Sequence, residues 1–93
     1  MTTFDFLHCL STIPNKGNLL YYKDVVITGI YVSKWRIILS TAKHTKKHVT
    51  IRHIVDTLIR FNNRKQLPIV LNYKFRYNGL NTITFKNNYV ELF

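Results

Sequence analysis

Apolar positions along this chain repeat with two different periods. In 3-TFDFLHCLSTI-13, Phe4, Leu7, Cys9, Leu10 and Ile13 lie near one helical stripe. That predicts a helix over 3–13, capped by Thr2 or Thr3 and ended by Pro14 and Gly17. Asn15-Lys16-Gly17-Asn18 reads as a turn. The run 19-LLYYKDVVITGIYVSKWRIILS-40 is dense in β-branched and aromatic residues and predicts strands over about 19–32 and 34–40. Gly29 marks a bulge or a close packing there.

A second helical block follows. Ile51, Ile54, Val55, Leu58 and Phe61 keep a helical period, which predicts a helix over 45–61 with Thr45 as its cap and Asn62-Asn63 as its end. Residues 69–77 alternate: Ile69, Leu71, Tyr73, Phe75 and Tyr77 fall on one side, and Val70, Asn72, Lys74 and Arg76 on the other. Asn78-Gly79 then predicts a tight hairpin turn into a strand over 80–86, because both residues tolerate positive φ. Asn87-Asn88 predicts another turn, into 89–93. No repeat is visible along the chain. The order of elements predicts an α+β, two-layer domain: an antiparallel or mixed sheet with a C-terminal hairpin, packed by one or two helices.

Composition sharpens this picture. The chain has 93 residues, 46% of them hydrophobic, which suits one small domain with a modest core. Nine Asn against a single Ala suggest an AT-rich coding source, such as an organelle or a virus genome. Fourteen Lys and Arg face four acids, for a net charge of +10. The acids, Asp5, Asp24, Asp56 and Glu91, are far apart, and between Lys34 and Lys65 only Asp56 opposes nine cations. Such a balance favours polyanionic partners. Cys9 is alone, so no disulfide forms within the chain. No apolar run reaches the length of a membrane span.

Metal and catalytic chemistry find little support. His44, His48 and His53 in 43-KHTKKHVTIRH-53 do not converge if all three ride one helix, and no zinc motif occurs. The acids form no evident pair, the serines lack a nucleophile context, and phosphate loops are absent. We therefore expect no metal, no cofactor, no small-molecule substrate and no enzymatic activity. The cations carry the remaining signal. Lys34, Arg36, Lys43, Lys46, Lys47, Arg52, Arg64, Lys65, Lys74 and Arg76 are the candidate phosphate contacts. Trp35 and the tyrosines are candidates for stacking on unpaired bases.

The segments 10-LSTIPNKG-17, 33-SKWRIIL-39, 69-IVLNYKF-75 and 83-ITF-85 occur in the same order as short motifs of one known family. They resemble the N-terminal domain of the eighth small-subunit ribosomal protein, with Lys34 at that family's Ser-Lys position. The chain departs from it in the cationic stretch 43–48, and it ends where the family's RNA-binding C-terminal half begins. The resemblance implies a ribosomal constituent in an organelle such as the mitochondrion, with rRNA and neighbouring ribosomal proteins as partners. Two other expectations fit the charge: a dimeric viral or plasmid DNA-binding regulator in an infected cell, and an adaptor facing acidic proteins.

Overall fold

A computed structural model describes residues 1–41, 48–61 and 66–93. In chain order they form α1 (Thr3–Ser11), β1 (Leu19–Tyr22), β2 (Val25–Val26), β3 (Gly29–Val32) and β4 (Ile37–Ser40), then α2 (Ile51–Arg60), β5 (Ile69–Tyr73), β6 (Arg76–Gly79), β7 (Ile83–Phe85) and β8 (Tyr89–Leu92). The α+β class and the C-terminal hairpin stand as expected, and the strands divide between two sheets. Their orders are β2-β1-β8-β7 and β3-β4-β5-β6. In each, the central pair is parallel and the two outer pairs are antiparallel.

The two halves of the chain repeat one another. Exchanging α1-β1-β2-β3-β4 with α2-β5-β6-β7-β8 turns one sheet order into the other. Individual hydrogen bonds follow the same exchange. The Thr3 N–H donates to the Leu67 carbonyl (2.8 Å), as Ile51 N–H does to Asn18 (3.0 Å). Ile27 N–H donates to Leu20 (2.8 Å), as Leu80 N–H does to Ile69 (3.1 Å). The Met1 nitrogen donates to the Leu80 carbonyl (2.9 Å), as Val49 N–H does to Ile27 (3.2 Å). Thr2 bridges Pro68, and Thr50 bridges Leu19. The expectation of no repeat is thus corrected at the level of topology. Identity survives at only a few matched positions, Thr2 with Thr50 and Leu10 with Leu58 among them, and elsewhere only character does, as at Phe6 and Ile54, so the sequence does not reveal it.

Both helices start where the chain leaves one of these bridges. Thr2 caps α1 through the Asp5 N–H (3.2 Å), and the Asp5 carboxylate accepts from the Thr2 N–H in return. Thr50 caps α2, its hydroxyl accepting from the His53 N–H at 3.3 Å. The helix expected over 45–61 is therefore shorter, because Val49 and Thr50 are held extended by Ile27 and Leu19. The expected cap Thr45 lies outside the described residues. Ile51, Ile54 and Leu58 are buried as expected. In α1 the buried stripe is Thr3, Phe6 and Leu10, whereas Phe4 is exposed. These stripes join the inward residues of both sheets, among them Leu20, Ile37, Leu39, Leu71 and Val90, in one core.

The hairpin turns correct the sequence reading most. Two-residue loops at Lys23-Asp24 (φ 49° and 65°) and Lys74-Phe75 (φ 51° and 63°) reverse the chain. Neither pair is a favoured composition for such a turn. Asn78-Gly79, expected to be one, lies inside β6. Register explains why. With the turn at Lys74-Phe75, buried Leu80 meets buried Ile69. A turn at Asn78-Gly79 would instead set Lys86 opposite the fully buried Leu71, and the core excludes that charge. The turn expected at Asn87-Asn88 is present, closed by Lys86 N–H to the Tyr89 carbonyl at 2.9 Å.

Replacing the α2 cap tests this helix start. Thr50→Ala should lower stability by about 1 kcal/mol in urea unfolding. An unchanged midpoint would show that the hydroxyl does not cap the helix.

Candidate nucleic-acid interface

Strand alternation defines one outward face on the β3-β4-β5-β6 sheet. Ile37 and Leu39 point into the core, so Arg36, Ile38 and Ser40 point away from it. Pairing then brings Tyr31 opposite Ile38 and Gly29 opposite Ser40 on β3. On the other side stand Val70 and Asn72 of β5, and Tyr77 of β6 is paired with Asn72. Tyr31 is 62% exposed and Tyr77 53%. A side chain at Gly29 would come within 3.3 Å of the Tyr31 ring. Of the two readings of Gly29, close packing is the observed one, and it lets the ring lie along the strand.

Cations sit on the aromatic rings of this sheet. The Arg36 guanidinium is 3.9 Å from the Tyr77 ring centre. In the β3–β4 turn the Lys34 ammonium lies 5.5 Å from the Trp35 ring, which is 74% exposed. Ser33 shapes that turn: its hydroxyl accepts from the Arg36 N–H (3.0 Å) and donates to the Arg36 carbonyl (2.7 Å). At the far end, Lys74 and Lys23 approach the Tyr73 ring at 5.3 and 5.4 Å. Tyr73 packs edge-to-face on Tyr22 at 5.3 Å, which ties hairpins β1–β2 and β5–β6 together. Each exposed cation–π contact contributes about 0.5–1 kcal/mol. Those of Lys34 and Arg36 leave long cationic side chains partly ordered beside exposed rings, the pairing that backbone-tracking, base-stacking surfaces use, whereas Tyr73 is half-buried against the core.

The expected phosphate contacts are only partly gathered here. Lys34, Arg36, Lys74 and Arg76 belong to this sheet and its turns. Arg52 is on the first turn of α2, where its N–H donates to the Lys16 carbonyl; it lies on none of these strands. Lys43, Lys46, Lys47, Arg64 and Lys65 lie outside the described residues. The described chain does reach Thr41, whose hydroxyl donates to the Asn72 carbonyl (2.6 Å). Phe75 and Lys23 were missed, and Tyr77 and Tyr31, named only among the tyrosines as stacking candidates, were not placed on this surface. Tyr77 and Phe75 had been placed on the apolar side of a straight strand, but the turn at Lys74-Phe75 moves Tyr77 to the face of Asn72 and leaves Phe75 wholly exposed. Lys23 and the exposure of Tyr31 had no signal in the periodicity.

The matching face of the other sheet differs in charge. There Leu19, Tyr21, Asp24, Asn88, Tyr89 and Glu91 line a shallow depression. Tyr21 and Tyr89 pack edge-to-face at 5.4 Å. Its two carboxylates would repel phosphate, so the pseudo-symmetric scaffold offers a polyanion only one of its two faces.

The histidines changed their setting. His48 precedes α2, so the separation expected on a single helix does not apply; His48 and His53 line one depression beside Gly29 and Tyr31. Among the described residues no three His, Cys, Asp or Glu side chains gather as metal ligands. His44 lies outside them. Among the same residues no helix is long and apolar enough to cross a membrane. No family model, no curated protein and no solved structure matches the chain.

The Lys74-Phe75 turn carries a strain that can be relieved. Positive φ at a bulky residue costs about 1–2 kcal/mol. Phe75 buries no side-chain surface that would be lost. Phe75→Gly should therefore raise stability by about 1 kcal/mol, or about 4–8 °C in the thermal midpoint for a chain of this size. A lowered midpoint would mean that the ring packs on the hairpin.

Proposed function

We propose that this protein is a non-catalytic RNA-binding component of a ribonucleoprotein particle, and that the particle is a ribosome, in keeping with the resemblance to the small-subunit family. One observation carries the RNA reading: cations alternate with exposed aromatic rings across a single sheet, with Arg36 over Tyr77 at its centre and Lys34-Trp35 and Lys74-Phe75 at its two ends. Lys34, Arg36, Lys74 and Arg76 would neutralise phosphates, while Trp35, Tyr31 and Tyr77 would meet unpaired bases. His48 and His53, beside Tyr31, would add hydrogen bonds to sugar or base edges. An organellar ribosome suits the small size, the net charge of +10 and the Asn-rich composition. There the partners would be rRNA and neighbouring ribosomal proteins.

Salt dependence tests the proposal. Four phosphate contacts to single-stranded RNA should give a slope of log K against log salt of about −3. Lys34→Gln with Arg36→Gln should make it shallower by about 1.4. Affinity that does not change with salt would refute the phosphate contacts. Failure of the native protein to co-sediment with ribosomal particles at low salt would refute the ribosomal assignment alone.

A further inference from the structure

The pseudo-symmetry supplies an internal control for each element, and one element breaks it. Hairpins β1–β2 and β5–β6 occupy equivalent places, each closed by an equivalent hydrogen bond at its root. In the first, the bond joins Leu20 to Ile27, seven positions on; in the second, Ile69 to Leu80, eleven positions on. The second hairpin is longer by those four residues, which is two rungs. Its outermost rungs are Asn72 with Tyr77 and Tyr73 with Arg76. Its tip is Lys74-Phe75.

The added length projects a particular chemistry. Phe75 is as exposed as in an extended chain, with no packing partner for its ring among the described residues. It is flanked in sequence by Lys74 and Arg76. The Lys74 ammonium stays near the Tyr73 ring, at 5.3 Å. At the tip of the shorter hairpin the same two positions are Lys23 and Asp24, a cation and an anion. A water-exposed phenyl ring serves no packing purpose, and a protein-facing apolar anchor would sit among further apolar side chains. The immediate neighbours of Phe75 are cations, the surroundings in which aromatic rings meet bases along a phosphate chain.

We propose that Phe75 stacks on an unpaired nucleobase, with Lys74 and Arg76 on the phosphates beside it, so that the extended hairpin reads single-stranded RNA in preference to duplex. This rests on the RNA-binding reading above and adds to it a residue and a preference. In duplex RNA the bases are already stacked, and the ring has nothing to cover.

The test uses the full chain with two probes: a mixed-sequence single-stranded RNA of about one helical turn carrying 2-aminopurine, and the same sequence as a duplex. Three proteins are compared by anisotropy over a salt series: the native chain, Phe75→Gly, and Lys74→Gln with Arg76→Gln. Phe75→Gly should weaken single-strand binding about tenfold. It should leave the salt slope and duplex affinity unchanged, and reduce quenching of 2-aminopurine, the other exposed rings being intact. The double charge variant should make the single-strand slope shallower by about 1.4. Since Phe75→Gly is expected to be the more stable protein, weaker binding cannot be put down to unfolding. Unchanged single-strand affinity in Phe75→Gly, with salt-dependent binding by the native chain, overturns the stacking role and leaves the RNA reading standing. Equal losses on single strand and duplex overturn the preference. Absence of binding by the native chain to either RNA overturns both.

Discussion

The fold depends on its two parallel strand pairs, β1 with β8 and β4 with β5. Parallel neighbours cannot be joined by a tight turn. Each pair here therefore joins a hairpin from one half of the chain to a hairpin from the other. Neither half can complete a sheet alone: β1–β2 needs β7–β8, and β5–β6 needs β3–β4. The extended bridges of Thr2 to Pro68 and Thr50 to Leu19 extend the same dependence to the starts of both helices. Such long-range pairing lets a small chain enclose one core, in which Leu20, Ile37, Leu71 and Val90 are all fully buried. It also implies that loss of one central strand removes both sheets together.

Burial decided which elements were legible in the sequence. The period of Ile51, Ile54 and Leu58 and the alternation of Ile69 and Leu71 were readable because the core enforces both. The hairpin turns were not. Lys74-Phe75 reverses the chain with two residues of low turn preference and Lys23-Asp24 with one, while Asn78-Gly79, the best local signal, is part of a strand. Tertiary register outweighs local preference there, since an unpaired charge buried at Lys86 costs more than the strained turn, at about 1–2 kcal/mol for each of its two residues. The start of α2 was set too early for a similar reason, because Val49 and Thr50 are held by partners distant in sequence. At the interface, charge alone marked Lys34, Arg36, Lys74 and Arg76. The aromatic half was misplaced because one unseen turn moved Tyr77 to the opposite face and Phe75 out of the domain.

Duplicated topology with divergent surfaces also bears on how the net charge of +10 is arranged. Two of the four acids, Asp24 and Glu91, line the depression on one sheet face. The other face carries Arg36 among exposed rings. Free lysine and arginine side chains would lose considerable rotamer entropy on binding a polyanion. Contacts with Trp35 and Tyr77 restrict Lys34 and Arg36 beforehand. The face is thereby partly organised in the free protein.

Backbone strain by itself does not single out the β5–β6 tip. Lys23 and Asp24 adopt the same left-handed conformation at the tip of the equivalent hairpin. The two-residue loop is thus a property of the duplicated architecture, and its cost is borne twice. What distinguishes the second tip is its length and its residue. Two further rungs carry it past the point where its counterpart turns back, and the strained position holds a fully exposed phenylalanine where the counterpart holds an aspartate. An aspartate tolerates positive φ comparatively well and is at home in water. A phenylalanine has neither advantage, so neither backbone preference nor burial accounts for its placement there.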